Sequence, residues 1–356
     1  MQGYSGAWDL VRADVAATLR GVKQRDGFKP LISTPFDTIA GSELVSANLD
    51  SLGGEIVTLL KRRGYVTELS ADQEQVRVAA LTGQLMEMAV HETPAYVLAV
   101  SYDRNLACAY CFQDDLRADP ANAPRLATMS VEMVDRIFAA MPEVEKRHAR
   151  SGAGDGSPPR RITLFGGEPL LARFRPIVHH IARRARDIGA SLSAITNGTE
   201  LEHYADLVGP DGISFLQITL DGPPAWHDRR RIGKDHAPTF WKIAENIDRA
   251  LSLGAQMKLR VNVDVENLSS LPDLAAIIAE RGWSDSTDFS AYATPVHEST
   301  GSEHDACGFG SWTLTKALDD LAAAHPAMRA LTGPDAPLQA RVRRAIRGER
   351  DPLFDF

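Results

Sequence analysis

Cysteine is scarce, with 3 in 356 residues. That is too few for a disulfide framework, and it makes the reducing cytoplasm the expected compartment. No apolar run approaches the roughly 18 residues that a membrane-spanning helix needs, so no membrane span is expected. An excess of positive charge is also missing: 39 Lys and Arg stand against 47 Asp and Glu, a formal net charge of -8. That balance argues against a general nucleic-acid or anionic-membrane surface, although basic clusters occur locally. Residues 1–21 carry Asp9 and Asp14 and lack the apolar centre and cleavage site of a secretory signal. Hydrophobic residues at 44% and charged residues at 24% are ordinary globular amounts and exclude gross disorder. The length accommodates two domains, or one large α/β barrel with an appendage.

From residue 95 onward, strand-like and helix-like patterns alternate. Apolar runs over 95–102, 161–165, 191–196, 215–220, 258–265 and 288–296 predict strands. Helical spacing over 130–149, 174–189, 201–208, 240–253, 271–281 and 312–324 fills the gaps between and after them. Gly189 and Gly254 stand where helices stop, and Thr239 stands where an N-cap belongs. Six β–α units in sequence predict a parallel sheet with right-handed crossovers, a (β/α)6 partial TIM-like barrel over residues 95–324. Residues 1–94 have a different texture. Helical patterns over 8–22 and 76–89 flank short strand-like pieces such as 64–67, which suggests a small α/β or winged-helix-like appendage. Residues 151–159 form a Gly/Ser/Pro loop, and 325–356 form a helix-prone tail carrying Arg341, Arg343, Arg344, Arg347 and Arg350.

The residues with chemical character fall just after strands: Cys108, Cys111, Glu168, Asn197 and Asp221. That places them on one rim, where α/β folds build their sites. Taken alone, Cys108-x-x-Cys111 reads as half a zinc site, as a thioredoxin-like dithiol, or as two inert buried thiols. Gly166-Gly167-Glu168-Pro169-Leu170 is either a tight turn before a helix or a loop whose glycines let backbone approach a ligand while Glu168 meets an ammonium group. Thr196-Asn197-Gly198 and Leu220-Asp221-Gly222 are ordinary turn chemistry individually. Their recurrence at successive strand ends gives them weight.

In order along the chain stand Asn105-Leu106-Ala107-Cys108-Ala109-Tyr110-Cys111-Phe112, Phe165-Gly166-Gly167-Glu168-Pro169-Leu170, Ile195-Thr196-Asn197-Gly198, Ile218-Thr219-Leu220-Asp221-Gly222-Pro223 and His227-Asp228-Arg229-Arg230-Arg231. Together they resemble the radical SAM superfamily over roughly residues 95–300, in the branch of SPASM-type peptide maturases and anaerobic sulfatase-maturing enzymes. The resemblance implies an oxidoreductase with S-adenosylmethionine (SAM) and a [4Fe–4S] cluster on three cysteines. It also implies a 5′-deoxyadenosyl radical acting on a peptide or protein side chain. Cys108 and Cys111 match the second and third cluster ligands, and Tyr110 the aromatic residue near the adenine. Gly166, Gly167 and Glu168 match the loop receiving the methionyl ammonium, and Asn197 and Asp221 the ribose- or substrate-facing polar groups. Arg231 and Arg260 are candidates for the methionyl carboxylate, with a surface-helix role for Arg231 as the alternative.

Two departures stand out. Arg104 occupies the first cluster position, and a guanidinium has no lone pair for iron. Asp103, one residue away, and Cys307, after the sixth strand, are the remaining candidates for a third ligand, although a hard oxygen donor matches a thiolate site poorly. A cysteine-rich C-terminal domain with auxiliary clusters, common in that branch, is not expected, since a single cysteine lies downstream. The sequence therefore supports two expectations: a side-chain-modifying radical enzyme, or a cluster-free pseudoenzyme binding SAM, a peptide or a catalytic paralog.

Overall fold

The computed structural model describes residues 94–108, 110, 111, 113, 120–147, 160–233, 236–296 and 311–332, with scattered positions between 54 and 83. The features expected over 8–22, 64–67 and 151–159, Cys307 and the basic tail lie outside the described residues. Of the helix expected over 76–89, residues 75–80 and 83 are helical. The chain divides into two compact units, Met1–Ala89 with Arg341–Phe356, and Val90–Ala340. The second is the barrel.

Its six strands are β1 (Ala95–Ser101), β2 (Arg161–Gly166), β3 (Ser191–Thr196), β4 (Ile213–Thr219), β5 (Gln256–Val263) and β6 (Phe289–Pro295). They form one sheet in the order β1-β2-β3-β4-β5-β6, and every neighbouring pair is parallel. Among the described residues β1 and β6 do not pair, so the barrel is partial, as expected. The helices are α1 (Val131–Arg147), α2 (Arg175–Asp187), α3 (Pro224–Arg230), α4 (Phe240–Ser252), α5 (Leu271–Glu280), α6 (Ser311–Ala324) and α7 (Arg329–Thr332).

Alternation along the strands produces two faces. Ile162 and Leu164 of β2, Leu192 and Ala194 of β3, and Met257, Leu259 and Val261 of β5 are buried in the core shared with the helices. Their neighbours Phe165, Ile195 and Arg260 instead line the cavity within the barrel. The helices answer with apolar stripes, such as Ile177, Val178, Ile181, Ala182 and Ala185 of α2. Each fully buried Leu, Ile or Val stabilises by about 1.5–3 kcal/mol relative to exposure. Met328 and Leu331 belong to the same core, so the packed barrel runs past Ala324. At the end of the barrel opposite the rim, buried Glu145 of α1 takes a two-pronged ion pair from Arg160, at 2.6 and 2.7 Å, and a 2.9 Å hydrogen bond from Tyr96.

Gly189 and Gly254 stop α2 and α4 in left-handed conformations, φ 64° and 77°, as expected. Two local expectations are corrected, and one element was not expected. Residues 201–208 make only a 3-10 turn, Leu201–Tyr204, because Ile213 draws the Leu207 carbonyl into the entry to β4 at 2.7 Å. Thr239 does not cap α4 with its side chain. The Asp228 carboxylate accepts the Thr239 and Phe240 amides instead, each at 2.8 Å, while the Thr239 hydroxyl donates to the Arg231 carbonyl. The short helix α3 has no counterpart in the sequence-based pattern.

Candidate active-site rim

The segment after β1 is fastened on both sides. On one side the Ala107 amide donates to the Ile232 carbonyl at 2.9 Å, and Leu106 bridges Gly233 in antiparallel fashion. On the other, Asn105 donates to Thr199 and Glu200, and its carbonyl accepts Asn197 Nδ2 at 2.8 Å. Within this frame the Cys111 amide donates to the Cys108 carbonyl at 3.2 Å. Both cysteines are free thiols, Cys108 buried and Cys111 partly exposed. Burial pushes the Cys108 thiol up, opposed mainly by the nearby Arg231 guanidinium.

The two glycines at the end of β2 exist for close approach, and what approaches is the chain itself. A Cβ on Gly166 (φ 138°) would stand 2.0 Å from the Ser101 carbonyl oxygen, and one on Gly167 2.4 Å from those of Tyr102 and Asp103. In that contact the Gly167 and Glu168 amides donate to Ser101 and Asp103 at 2.8 Å. The Glu168 carboxylate turns the other way. It accepts the Leu170 amide at 2.9 Å, the Thr196 hydroxyl at 2.6 Å and the Asn197 amide at 2.6 Å. Burial raises its pKa to about 7, against the lowering effect of those same hydrogen bonds. Glu168 thus ties the end of β2 to the end of β3. Asn197 completes the tie by accepting both the amide and the hydroxyl of Thr199.

The second half of the rim centres on Asp221, which has no exposed surface. Its carboxylate accepts the Tyr110 hydroxyl in a short hydrogen bond and Asn262 Nδ2 at 3.2 Å. The same hydroxyl accepts Arg231 Nη1 at 2.7 Å and Asn262 Nδ2 at 3.2 Å. Arg230 lies over the Tyr110 ring and pairs with Asp264 at 2.6 Å. Arg260 sets the Asn262 amide from one side, with Nε 2.9 Å from Oδ1. Behind Asp221, burial drives the His227 imidazole well below its ordinary pKa, so the ring is neutral. Its Nδ1 accepts the Asp221 amide, which leaves Nε2 to donate to Thr239 Oγ1.

Arg231 is only 9% exposed, which overturns the surface-helix alternative. Its Nε is buried without a hydrogen-bond partner. Together these residues surround a cavity of about 320 Å3, the lower end of the range for small-ligand sites. Arg104, Cys108, Tyr110, Cys111, Glu168, Asn197, Arg231 and Arg260 all line it; Asp221 sits one layer behind, reached through Tyr110. Asn262 and Asn105 were not assigned from sequence. The available signal for Asn262 was its two-residue spacing from Arg260, which puts both on one strand face.

Residues 105–277 match the radical SAM superfamily. These residues form a radical SAM domain. Among curated proteins it is similar to a GTP 3′,8-cyclase of Bradyrhizobium diazoefficiens, 27% identical over 192 residues, covering 51% of this chain and 48% of the relative. It is also similar to an S-adenosylmethionine-dependent nucleotide dehydratase of Psychrobacter lutiphocae, 25% identical over 179 residues, covering 49% and 57%. The chain spans about half the length of the curated relatives it matches. Among solved structures, anSMEcpe with bound AdoMet superposes with a TM-score of 0.51 at 16% identity, covering 65% of this chain and 60% of that one. The same protein with AdoMet and the Cp18Cys peptide gives 0.50, covering 65% and 59%. In fold the radical SAM barrel here resembles the SPASM-type maturases.

The radical SAM superfamily implies SAM and a [4Fe–4S] cluster. The described residues supply part of a ligand set for the cluster. Cys108 and Cys111 supply two thiols, while Arg104, buried at 5% exposure, lines the cavity from the position of the first ligand. No group of three or more His, Cys, Asp or Glu side chains gathers as a metal site among the described residues. Asp103 is engaged elsewhere, with one oxygen on Arg173 and the other on the Arg104 amide. For SAM itself the rim offers suitable chemistry: Arg231 and Arg260 line the cavity beside Arg104, with a ring of amide and hydroxyl groups.

Proposed function

We propose that this chain is a cluster-free radical SAM protein that binds SAM in the rim cavity without cleaving it reductively. In this reading it acts in the cytoplasm as a binding module for a peptide or protein partner or for a catalytic paralog. The observation that carries the reading is the buried Arg104 at the first cluster position. A guanidinium cannot ligate iron or deprotonate in a protein. Arg231 and Arg260 are the partners for the methionyl carboxylate, Tyr110 the partner for the adenine, and Asn197 the polar group for the ribose or substrate; Asp221, buried behind the cavity wall, acts only through Tyr110. Glu168 lines the cavity and its Oε2, which accepts one hydrogen bond against two at Oε1, has an acceptor site left for the methionyl ammonium. In this reading residues 1–94 serve to recognise the peptide partner, by analogy with peptide maturases.

Anaerobic iron–sulfur reconstitution with iron counting and a 5′-deoxyadenosine assay tests this, alongside calorimetric titration with SAM. The expected result is SAM binding without a cluster and without 5′-deoxyadenosine. An Arg104→Cys variant is expected to gain iron. A full cluster and SAM cleavage by the unaltered chain would sink the reading.

A second reading is radical modification of a peptide side chain. It draws on the fold likeness to anSMEcpe, which has been solved with AdoMet and a peptide bound. It requires a third thiolate, and Cys307 is the remaining cysteine.

A further inference from the structure

We propose that Cys108 and Cys111 form a redox-active dithiol on the cavity wall, closing to an intrachain disulfide. The inference rests on the cluster-free reading above, since thiolates bound to iron are not available for exchange.

The geometry is that of a pair already brought together. The Cys111 amide donates to the Cys108 carbonyl at 3.2 Å. Such a bond from residue i+3 to residue i closes a turn whose ends lie within about 7 Å. That range overlaps the roughly 4.4–6.8 Å between Cα atoms that a disulfide spans. Both residues line the same cavity. The bond between Ala107 and Ile232 and the bridge between Leu106 and Gly233 hold the frame on one side. The Tyr110 hydroxyl, held by Arg231, anchors the loop between the two cysteines. Ring closure therefore orders little that is not ordered already. Two inert core thiols would both be buried, but only Cys108 is, at 7% exposure, while Cys111 is partly exposed. Zinc finds no third ligand among the described residues.

That asymmetry assigns the order of events. The co-reactant is a small-molecule disulfide. The Cys111 thiolate attacks one of its sulfurs, forming a mixed disulfide and expelling one small thiol. Cys108 then gives its proton to solvent and attacks the Cys111 sulfur, expelling the second. Two protein thiols are oxidised to one protein disulfide, and one small disulfide is reduced to two thiols.

The test uses the full chain, stripped of iron and equilibrated with mixtures of reduced and oxidised glutathione. Thiols are trapped with N-ethylmaleimide and counted by intact mass. Of the 3 cysteines, all are expected to be trapped under reducing conditions. Under oxidising conditions the two in the rim disappear together, leaving one, and peptide mapping links Cys108 to Cys111. Cys108→Ser is expected to accumulate glutathione on Cys111. Stable glutathione on Cys111 of the unaltered chain, or a link from either cysteine to Cys307, overturns the dithiol while leaving the cluster-free reading intact. A full [4Fe–4S] complement after anaerobic reconstitution removes both.

Discussion

The Tyr110 hydroxyl receives a 2.7 Å hydrogen bond from Arg231, joining the cysteine loop to the end of α3 in the cavity wall. Asp221 and Asn262 hold the same oxygen. Tyr110→Phe removes a hydroxyl that faces a guanidinium and a carboxylate, and hydrogen bonds to charged groups are worth about 1.5–3 kcal/mol each. A loss of about 2 kcal/mol in urea unfolding is expected, with faster amide hydrogen exchange at Ala107 and Cys111. An unchanged midpoint would mean that the loop does not depend on this hydroxyl.

Glu168 sets a pH dependence. Its carboxyl sits near 4.5 in the unfolded chain and near 7 when folded, because burial outweighs its hydrogen bonds. A raised folded pKa means that the native state holds the proton more tightly. The stabilisation is complete below pH 4.5 and is lost as pH rises through about 7. Urea midpoints should fall across that window in the unaltered chain. Glu168→Gln should be flat there and lower throughout, because its amide nitrogen faces N–H or O–H donors. A slope that survives the substitution would assign the effect to another group.

The Gly167 contact predicts a steric penalty. A Cβ there meets backbone oxygens at 2.4 Å, so Gly167→Ala must move the segment that carries Asp103 and Arg104. Overpacking of this kind costs about 1–3 kcal/mol. Gly189→Ala has open space around it and strain only from its positive φ, so it should cost about 1 kcal/mol. Thermal unfolding of the two variants separates the cases, and an equally mild Gly167→Ala would show that the strand ends can part.

At the far end of the barrel, Glu145→Ala leaves half-buried Arg160 without its carboxylate and Tyr96 without its acceptor. Breaking one side of a buried pair typically costs about 3–5 kcal/mol. Denaturant unfolding should report a loss in that range, with SAM titration unchanged because the site lies at the opposite rim.

Much of this arrangement was legible beforehand, for identifiable reasons. The strands carry apolar runs between glycine-marked helix ends, and the motifs sit at the strand ends, so the rim followed from order alone. α3 escaped because Pro224–Arg230 is seven residues with no apolar stripe, and its buried side chain is His227. Thr239 misled because a capping residue type was in the capping position, while Asp228, eleven residues earlier, does the capping. Glu168 was matched to a ligand, but its hydroxyl and amide partners lie 28 and 29 residues away on the next strand. Local spacing does not carry such contacts.

The hydrogen bonds that join the ends of β1, β2 and β3 run from protein to protein, with Glu168 and Asn197 as the knots. A rim that closes on itself in this way does not need a metal centre to keep its shape. A substitution at either knot would therefore be felt at three strand ends at once, and the cavity would change shape as one piece.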